Sequence, residues 1–374
     1  MDARVFAWRW LSAAVILSTV SLLAGGSVNA ASADAGGRID ILDLPARHTE
    51  RAKSAVLNAV ATAGKRLVAV GEMGMVVLSD DNGQTWRQAK GVPTSVTLTN
   101  TRFATDNTGW AVGHSGVVLK TVDAGETWVR QLDGKQAAQI EATAADAAVL
   151  NNPEAGARRQ RDAQRMVTEG ADKPFLDVHF FDEQHGFIIG AYGLVFSTRD
   201  GGKTWESLLG QIDNPKNRHL YSIASAGNDL LVTGEQGMLY RVSDVGQRFT
   251  ALPSPYPGTL FGALAVPGAN TLIFGLRGNA FRSPDQGATW SKVDFGPAVT
   301  LTAGAHLRDG RQVVVDETGQ LMLSRDGGLT FGKLTVPKMN AATGVVEAAD
   351  GSLVLSTQRG AVRIAADALR SEKK

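Results

Sequence analysis

The stretch STRDGGKTW, Ser197 to Trp205, sets a hydroxyl residue, an Asp, a Gly, a Thr and a Trp at fixed spacing. It recurs as LSDDNGQTW ending at Trp86, KTVDAGETW ending at Trp128 and RSPDQGATW ending at Trp290. LSRDGGLTF, ending at Phe331, and RVSDVGQRF, ending at Phe249, are looser copies. The aspartates are Asp81, Asp123, Asp200, Asp244, Asp285 and Asp326, spaced by 42, 77, 44, 41 and 41 residues. A constant period of this size marks a repeat architecture with one long insertion.

A second element precedes each box. It reads G-x-x-G at Gly71/Gly74, Gly113/Gly116, Gly190/Gly193, Gly234/Gly237 and Gly275/Gly278. In a sixth copy Asp316 replaces the first Gly before Gly319, and a seventh has Gly360 and no box. Around the third box FLDVHFF, HGFIIG, LVFST and TWESLL read as four short strands separated by Gly-containing turns. Four antiparallel strands per repeat of this length define a propeller blade. The expected fold is therefore all-β, a seven-bladed β-propeller over residues 31–365, with residues 366–374 as a tail. The last unit has three recognisable strands. RIDILDL, residues 38–44, alternates apolar and polar and is expected to pair with blade seven and close the ring.

The box itself reads as a turn. An Asp in a tight turn accepts hydrogen bonds from nearby backbone N–H groups, Gly supplies the left-handed backbone, and the aromatic ring is buried between sheets. Six copies spread around a ring cannot share one substrate, so Asp81, Asp123, Asp200, Asp244, Asp285 and Asp326 are assigned structural roles, with Trp86, Trp128, Trp205 and Trp290.

Composition narrows the function. Residues 1–30 carry Arg4 and Arg9, an apolar run and SVNA before a small-residue boundary, which reads as a signal peptide cleaved after Ala30 and implies a periplasmic protein. An uncleaved anchor is the alternative. There is no twin Arg and no lipobox Cys. The charges of the remaining chain cancel, which argues against nucleic acid as a partner. The absence of Cys excludes a thiol nucleophile and Cys-ligated metal. No residue pattern calls for a metal or a cofactor. SDDNG at Ser79 lacks the later acidic ligand of a calcium loop, and G-x-x-G between strands is no phosphate loop.

The box is similar to the Asp-box, or BNR, pattern. The runs 103–128 and 177–206 resemble the repeat of the photosystem II stability/assembly factor propellers. That resemblance implies an exported, non-enzymatic assembly or stability factor that binds a membrane protein, lumenal if the source is photosynthetic. The box also occurs in sialidases and other glycosidases. A sialidase would need an early F/Y-R-I/L-P motif, an Arg triad and a Tyr–Glu pair. FRSP at Phe281 is the nearest match and belongs to the fifth box, and none of the four Tyr has a Glu beside it. Hydrolase activity is the alternative this leaves.

Recognition is expected on the face that carries the G-x-x-G turns, where variable residues sit on fixed turns. His114, Tyr192, Arg277 and Arg359 are its candidate residues. The insertion, residues 133–172, is expected on the same face. Segments 135–150 and 154–168 have helical composition broken at NNP, a disordered loop being the alternative, and the second carries Arg158, Arg159, Arg161 and Arg165. A helical hairpin with an arginine row suits docking of a membrane protein or transporter complex, with the propeller itself a monomer.

Overall fold

The computed structural model describes residues 40–370 apart from 228, 244–247 and 266–269. The signal-peptide reading and Asp244 lie outside the described residues. Six four-stranded antiparallel sheets and one three-stranded sheet follow one another along the chain, at residues 57–88, 98–132, 175–207, 220–251, 260–293, 301–333 and 342–364. Each is a meander whose strands pair in chain order. This is the expected seven-bladed propeller. The second strands are buried almost throughout, and in blades two and three they are wholly buried apolar runs, Gly109–Gly113 and Gly186–Gly190, because sheets pack on both of their faces.

The blades are tied near the axis by a repeated device. The inner strand of a blade carries one extra residue, a bulge, next to its start. That extra residue points its polar group at the neighbouring blade. Asn58 Nδ2 donates to Leu98 O at 2.8 Å, Thr99 Oγ1 to Phe175 O at 2.7 Å, and Thr302 Oγ1 to Ala342 O at 2.9 Å. Between blades three and four the carboxylate of Asp177 does this work, accepting from Ile223 N at 2.7 Å. Between blades four and five two bulge aromatics, Tyr221 and Phe261, meet with ring centres 5.1 Å apart.

Closure differs from expectation. Residues 40–44 form a turn, and blade seven remains three-stranded among the described residues. Leu42 is buried among Val92, Val96, Leu98 and Trp128, between blades one and two. Arg130 holds this turn through Leu42 O and Asp43 Oδ1, both at 2.8 Å. Of the alternating apolar residues, Ile41 stays exposed. The segment is a plug over the connector between two blades, and the ring closes instead through Thr343 Oγ1, which donates to Leu57 O at 2.8 Å. The chain end is also more than a tail. Ala366–Leu369 is a 3-10 turn whose Leu369 is buried and whose carbonyl accepts from Arg311 and Arg325, each at 2.8 Å.

The boxes repeat one geometry. In the first, Thr85 N and Thr85 Oγ1 donate to the two Asp81 oxygens at 2.8 and 2.6 Å, while Ser79 Oγ donates to Asp81 at 2.8 Å and receives Gly83 N. The same pattern holds at Asp123, Asp200, Asp285 and Asp326. Hydrogen bonds from Thr85, hydroxyl first and then amide, bring the Asp81 carboxyl down to about 2. Thr289 does the same for Asp285 and Thr330 for Asp326. The aromatic ring that ends each box enters the interface with the preceding sheet, as Trp205 of blade three does against Trp110 and Val118 of blade two. Trp128 and Trp205 are buried, Trp86 and Trp290 half-buried.

Candidate functional site

The turns between second and third strands share a backbone. Met73, Ser115, Tyr192, Gln236 and Arg277, each the second variable residue of a G-x-x-G, have φ between 51° and 58°. The first Gly is demanded by a close approach: a Cβ on Gly71 would lie 1.9 Å from Val56 O, on the segment that enters the blade. The left-handed kink then turns the second variable residue outward. Met73, Tyr192, Gln236, Arg277, Thr318 and Arg359 are exposed, whereas the first variable residues are buried or half-buried. Two of these, Glu235 and Glu317, accept from His219 N and Thr300 N at 2.9 and 3.1 Å and fix the neighbouring connector. Of the candidates, Tyr192, Arg277 and Arg359 therefore face solvent. His114 does not. It occupies the inner position of a turn that abuts the start of the insertion, and burial pushes its imidazole below the ordinary value.

The insertion is a helical hairpin. Helix α1 spans Gly134–Asn151 and helix α2 spans Pro153–Glu169. Asp133 caps α1 by accepting from Lys135 N and Gln136 N at 3.0 and 3.1 Å, and Gln136 Oε1 returns a bond from Asp133 N at 3.0 Å. Pro153 opens α2, where its missing N–H costs nothing. Gly156 lets the helices touch, since a Cβ there would meet Val149 Cα at 2.7 Å.

One buried cluster fixes the hairpin on the ring. Glu141 of α1 is only 1% exposed and accepts Arg159 Nε and Nη2 at 2.7 and 2.8 Å and the hydroxyl of Ser207, on the outer strand of blade three. Arg159 is thus committed inside the molecule. The arginine row is consequently not one patch. At 100° per residue, Arg158, Arg161 and Arg165 lie within ~60° of each other on α2, and Arg159 points away from them. Arg158 donates to Pro215 O and faces Asp162 at 3.8 Å, and Arg165 pairs with Glu169 at 2.6 Å. Arg161 is exposed and has no ion pair among the described residues.

Between α2 and the connector 209–217 runs an open groove of about 670 Å³. Its floor is apolar, with Ala163, Met166, Leu209 and Ile212, and Tyr192 stands in it with 52% of its surface exposed. Lys173 Nζ lies 5.4 Å from the centre of the Tyr192 ring and pairs with Glu169 and Asp172 at 2.5 and 2.7 Å. Neither Glu141 nor the 209–217 wall stands out in the sequence. A single Glu in an Ala-rich helix looks like any solvated residue, and a connector announces no partner.

The axial channel is smaller, about 280 Å³, and is lined by the inner strands. Its carboxylate, Asp177, is 1% exposed and accepts from Asn100 Nδ2 at 2.6 Å and Val178 N at 2.8 Å besides Ile223 N. A carboxylate held by that many donors is a clasp between blades. The carboxylates of Asp81, Asp123, Asp200, Asp285 and Asp326 are likewise each engaged in their own turn. Among the described residues no group of three or more His, Asp or Glu is placed to hold a metal. No described helix is long and apolar enough to cross a membrane.

The fold and its boxes define an Asp-box propeller with a helical arm on its G-x-x-G face. The chain belongs to the family described as photosynthesis system II assembly factor YCF48, whose pattern matches residues 19–122 and 157–332. It is 35% identical over 77 residues to the photosystem II assembly lipoprotein Ycf48 of Synechococcus sp. (strain CC9902), across 21% of this chain and 23% of that protein. To the chloroplastic photosystem II stability/assembly factor HCF136 of Oryza sativa subsp. japonica it is 29% identical over 91 residues, across 23% of this chain and 22% of that one. The aligned parts thus span about a quarter of the length of these relatives. Among solved structures, YCF48 bound to D1 peptide superposes with a TM-score of 0.60 at 16% identity, over 83% of this chain and 93% of that one. The family pattern leaves out residues 123–156, which hold all of α1 and the start of α2.

Proposed function

We propose that this protein is an exported, non-enzymatic assembly or stability factor that holds a membrane-protein client on its G-x-x-G face, with the hairpin as docking arm. The observation that carries this reading is the family match over most of the first six blades combined with a helical arm mounted beside the groove. A relative of the same fold has been solved with a D1 peptide, which favours a segment of a membrane protein as client. Tyr192, Arg158, Arg161 and Arg165 would be its first contacts, with Arg277 and Arg359 farther round the ring. Arg158 and Arg165 sit in exposed ion pairs, worth little to stability and easily exchanged for a client's carboxylates. A non-catalytic role is favoured because the described box aspartates and Asp177 are engaged as structural acceptors. The periplasm, or a lumen in a photosynthetic source, is the compartment consistent with the apolar segment after Arg9.

The test is affinity purification of the tagged mature protein from solubilised membranes, with mass spectrometry of what accompanies it. The reading predicts one membrane protein or complex, enriched over a control in which Tyr192 and Arg161 are both replaced by Ala. Recovery of no membrane protein, together with turnover of a glycoside, would contradict it.

A further inference from the structure

Among the described residues blade seven has three strands where every other blade has four. Its outermost strand, Gly360–Ile364, is half-exposed over its three central residues, whereas the corresponding strands Val76–Ser79, Val195–Thr198 and Leu321–Ser324 are buried throughout. The direction of its free backbone groups follows from one bond. Gly360 N donates outward to Ala55 O at 2.8 Å. Backbone groups alternate in direction along an antiparallel strand, so Val362 and Ile364 turn theirs to the same side. Among the described residues no strand pairs with that side. An open edge of this kind is a template for an added strand. The addition need not be long: the fourth strands of blades one, three and six pair over two residues each.

The surroundings of the edge select what is added. Arg51, Lys53 and Arg359 are exposed and have no ion pair among the described residues. Lys53 lies beside Gly360, the residue after Arg359: a Cβ on Gly360 would lie 2.1 Å from Lys53 O. Arg363, on the strand itself, is taken by Asp350 at 2.7 Å and by Asn82 O at 3.0 Å. Glu50 precedes Arg51 in the chain, and Asp367 follows the strand in the turn Ala366–Leu369. Cations along an edge repel a second copy of the same edge and attract an acidic strand. We infer that the open edge of blade seven takes an extended, acidic segment of a partner polypeptide as its fourth strand. Blade seven lies outside the residues matched by the family pattern. The edge is also separate from the hairpin; Arg359 borders both this edge and the G-x-x-G face, whereas Val362 belongs to the edge alone.

The experiment uses the mature chain and two fluorescent octapeptides, alternating Glu-Val and alternating Lys-Val. Anisotropy should show the acidic peptide binding at least tenfold more tightly. Hydrogen exchange should slow at the Val362 and Ile364 amides when it binds. Val362→Pro, which removes the outward donor, should abolish binding, and Lys53→Glu with Arg359→Glu should reverse the preference. Equal affinity for both peptides, or exchange unchanged at Val362, would overturn the inference. So would protection of Val362 before any peptide is added, whether in a monomer, where the chain's own residues fill the edge, or in a dimer, where a second copy does. Should Val362→Pro not fold, the exchange comparison on the unaltered protein decides.

Discussion

Thr343 Oγ1 donates to the carbonyl of Leu57 at 2.8 Å and joins the last blade to the first across 286 positions of chain. The same hydroxyl lies 3.1 Å from Ser356 O. One buried side chain thus braces its own blade and closes the ring. The equivalent residues Thr99 and Thr302 make the same pair of contacts within the ring.

Thr343→Val keeps the shape and removes the bond. It leaves Leu57 O buried without this donor, a loss of about 1–3 kcal/mol. Urea unfolding should show that loss, and the variant should also open first at blades one and seven in hydrogen exchange. An unchanged midpoint would mean that closure rests elsewhere.

Trp205 is 8% exposed and meets Phe180 edge-on at 6.2 Å. Trp205→Ala should cost about 3–5 kcal/mol, the range for large aromatic truncations in cores. A variant that keeps its stability and loses its client would make this ring a contact surface.

Acid should unfold the protein through its turns. Asp81, Asp285 and Asp326 have folded pKa values of about 2, depressed by their Thr partners. An unfolded Asp titrates near ~3.9. A depressed folded value stabilises above the unfolded one, so the contribution is complete above about pH 4 and lost as pH falls toward 2. Stability measured between pH 5 and 2 should fall steeply over the lower part of that range. Thr85→Val should flatten the slope by raising the Asp81 value.

Much of this was legible in the sequence because it is local. A box is a turn whose partners lie within four residues, Asp81 to Thr85, and the helices break where Pro153 forbids continuation. Closure was not legible for the opposite reason. The alternation of residues 38–44 suits an edge strand, yet what decided its place was a pocket between Val92, Leu98 and Trp128 that accepts Leu42. The arginine row misled in the same way. Four cations in eight residues look like one surface until Glu141 on the other helix draws Arg159 inward.

Glu141→Ala should loosen the hairpin as a unit. It strands Arg159 and Ser207 and should cost about 3 kcal/mol, at the lower end for a broken buried pair. Amide exchange in both helices should accelerate while the inner strands of the blades keep their protection. Uniform acceleration across the ring would show that the hairpin is not a separate unit.

The central claim is that the hairpin is a docking arm on a ring that folds without it. Its two ends meet: a Cβ on Gly134 would lie 2.8 Å from Ala171 Cα, so residues 135–170 can be replaced by a short Gly/Ser linker. The decisive measurement is the amount of membrane client recovered with this excised protein, relative to the intact mature chain, alongside its thermal unfolding. The account predicts a cooperative, folded propeller that has lost its client. Full client recovery would place the binding site on the G-x-x-G turns alone, and loss of cooperative unfolding would make the hairpin part of the ring; either result contradicts the claim.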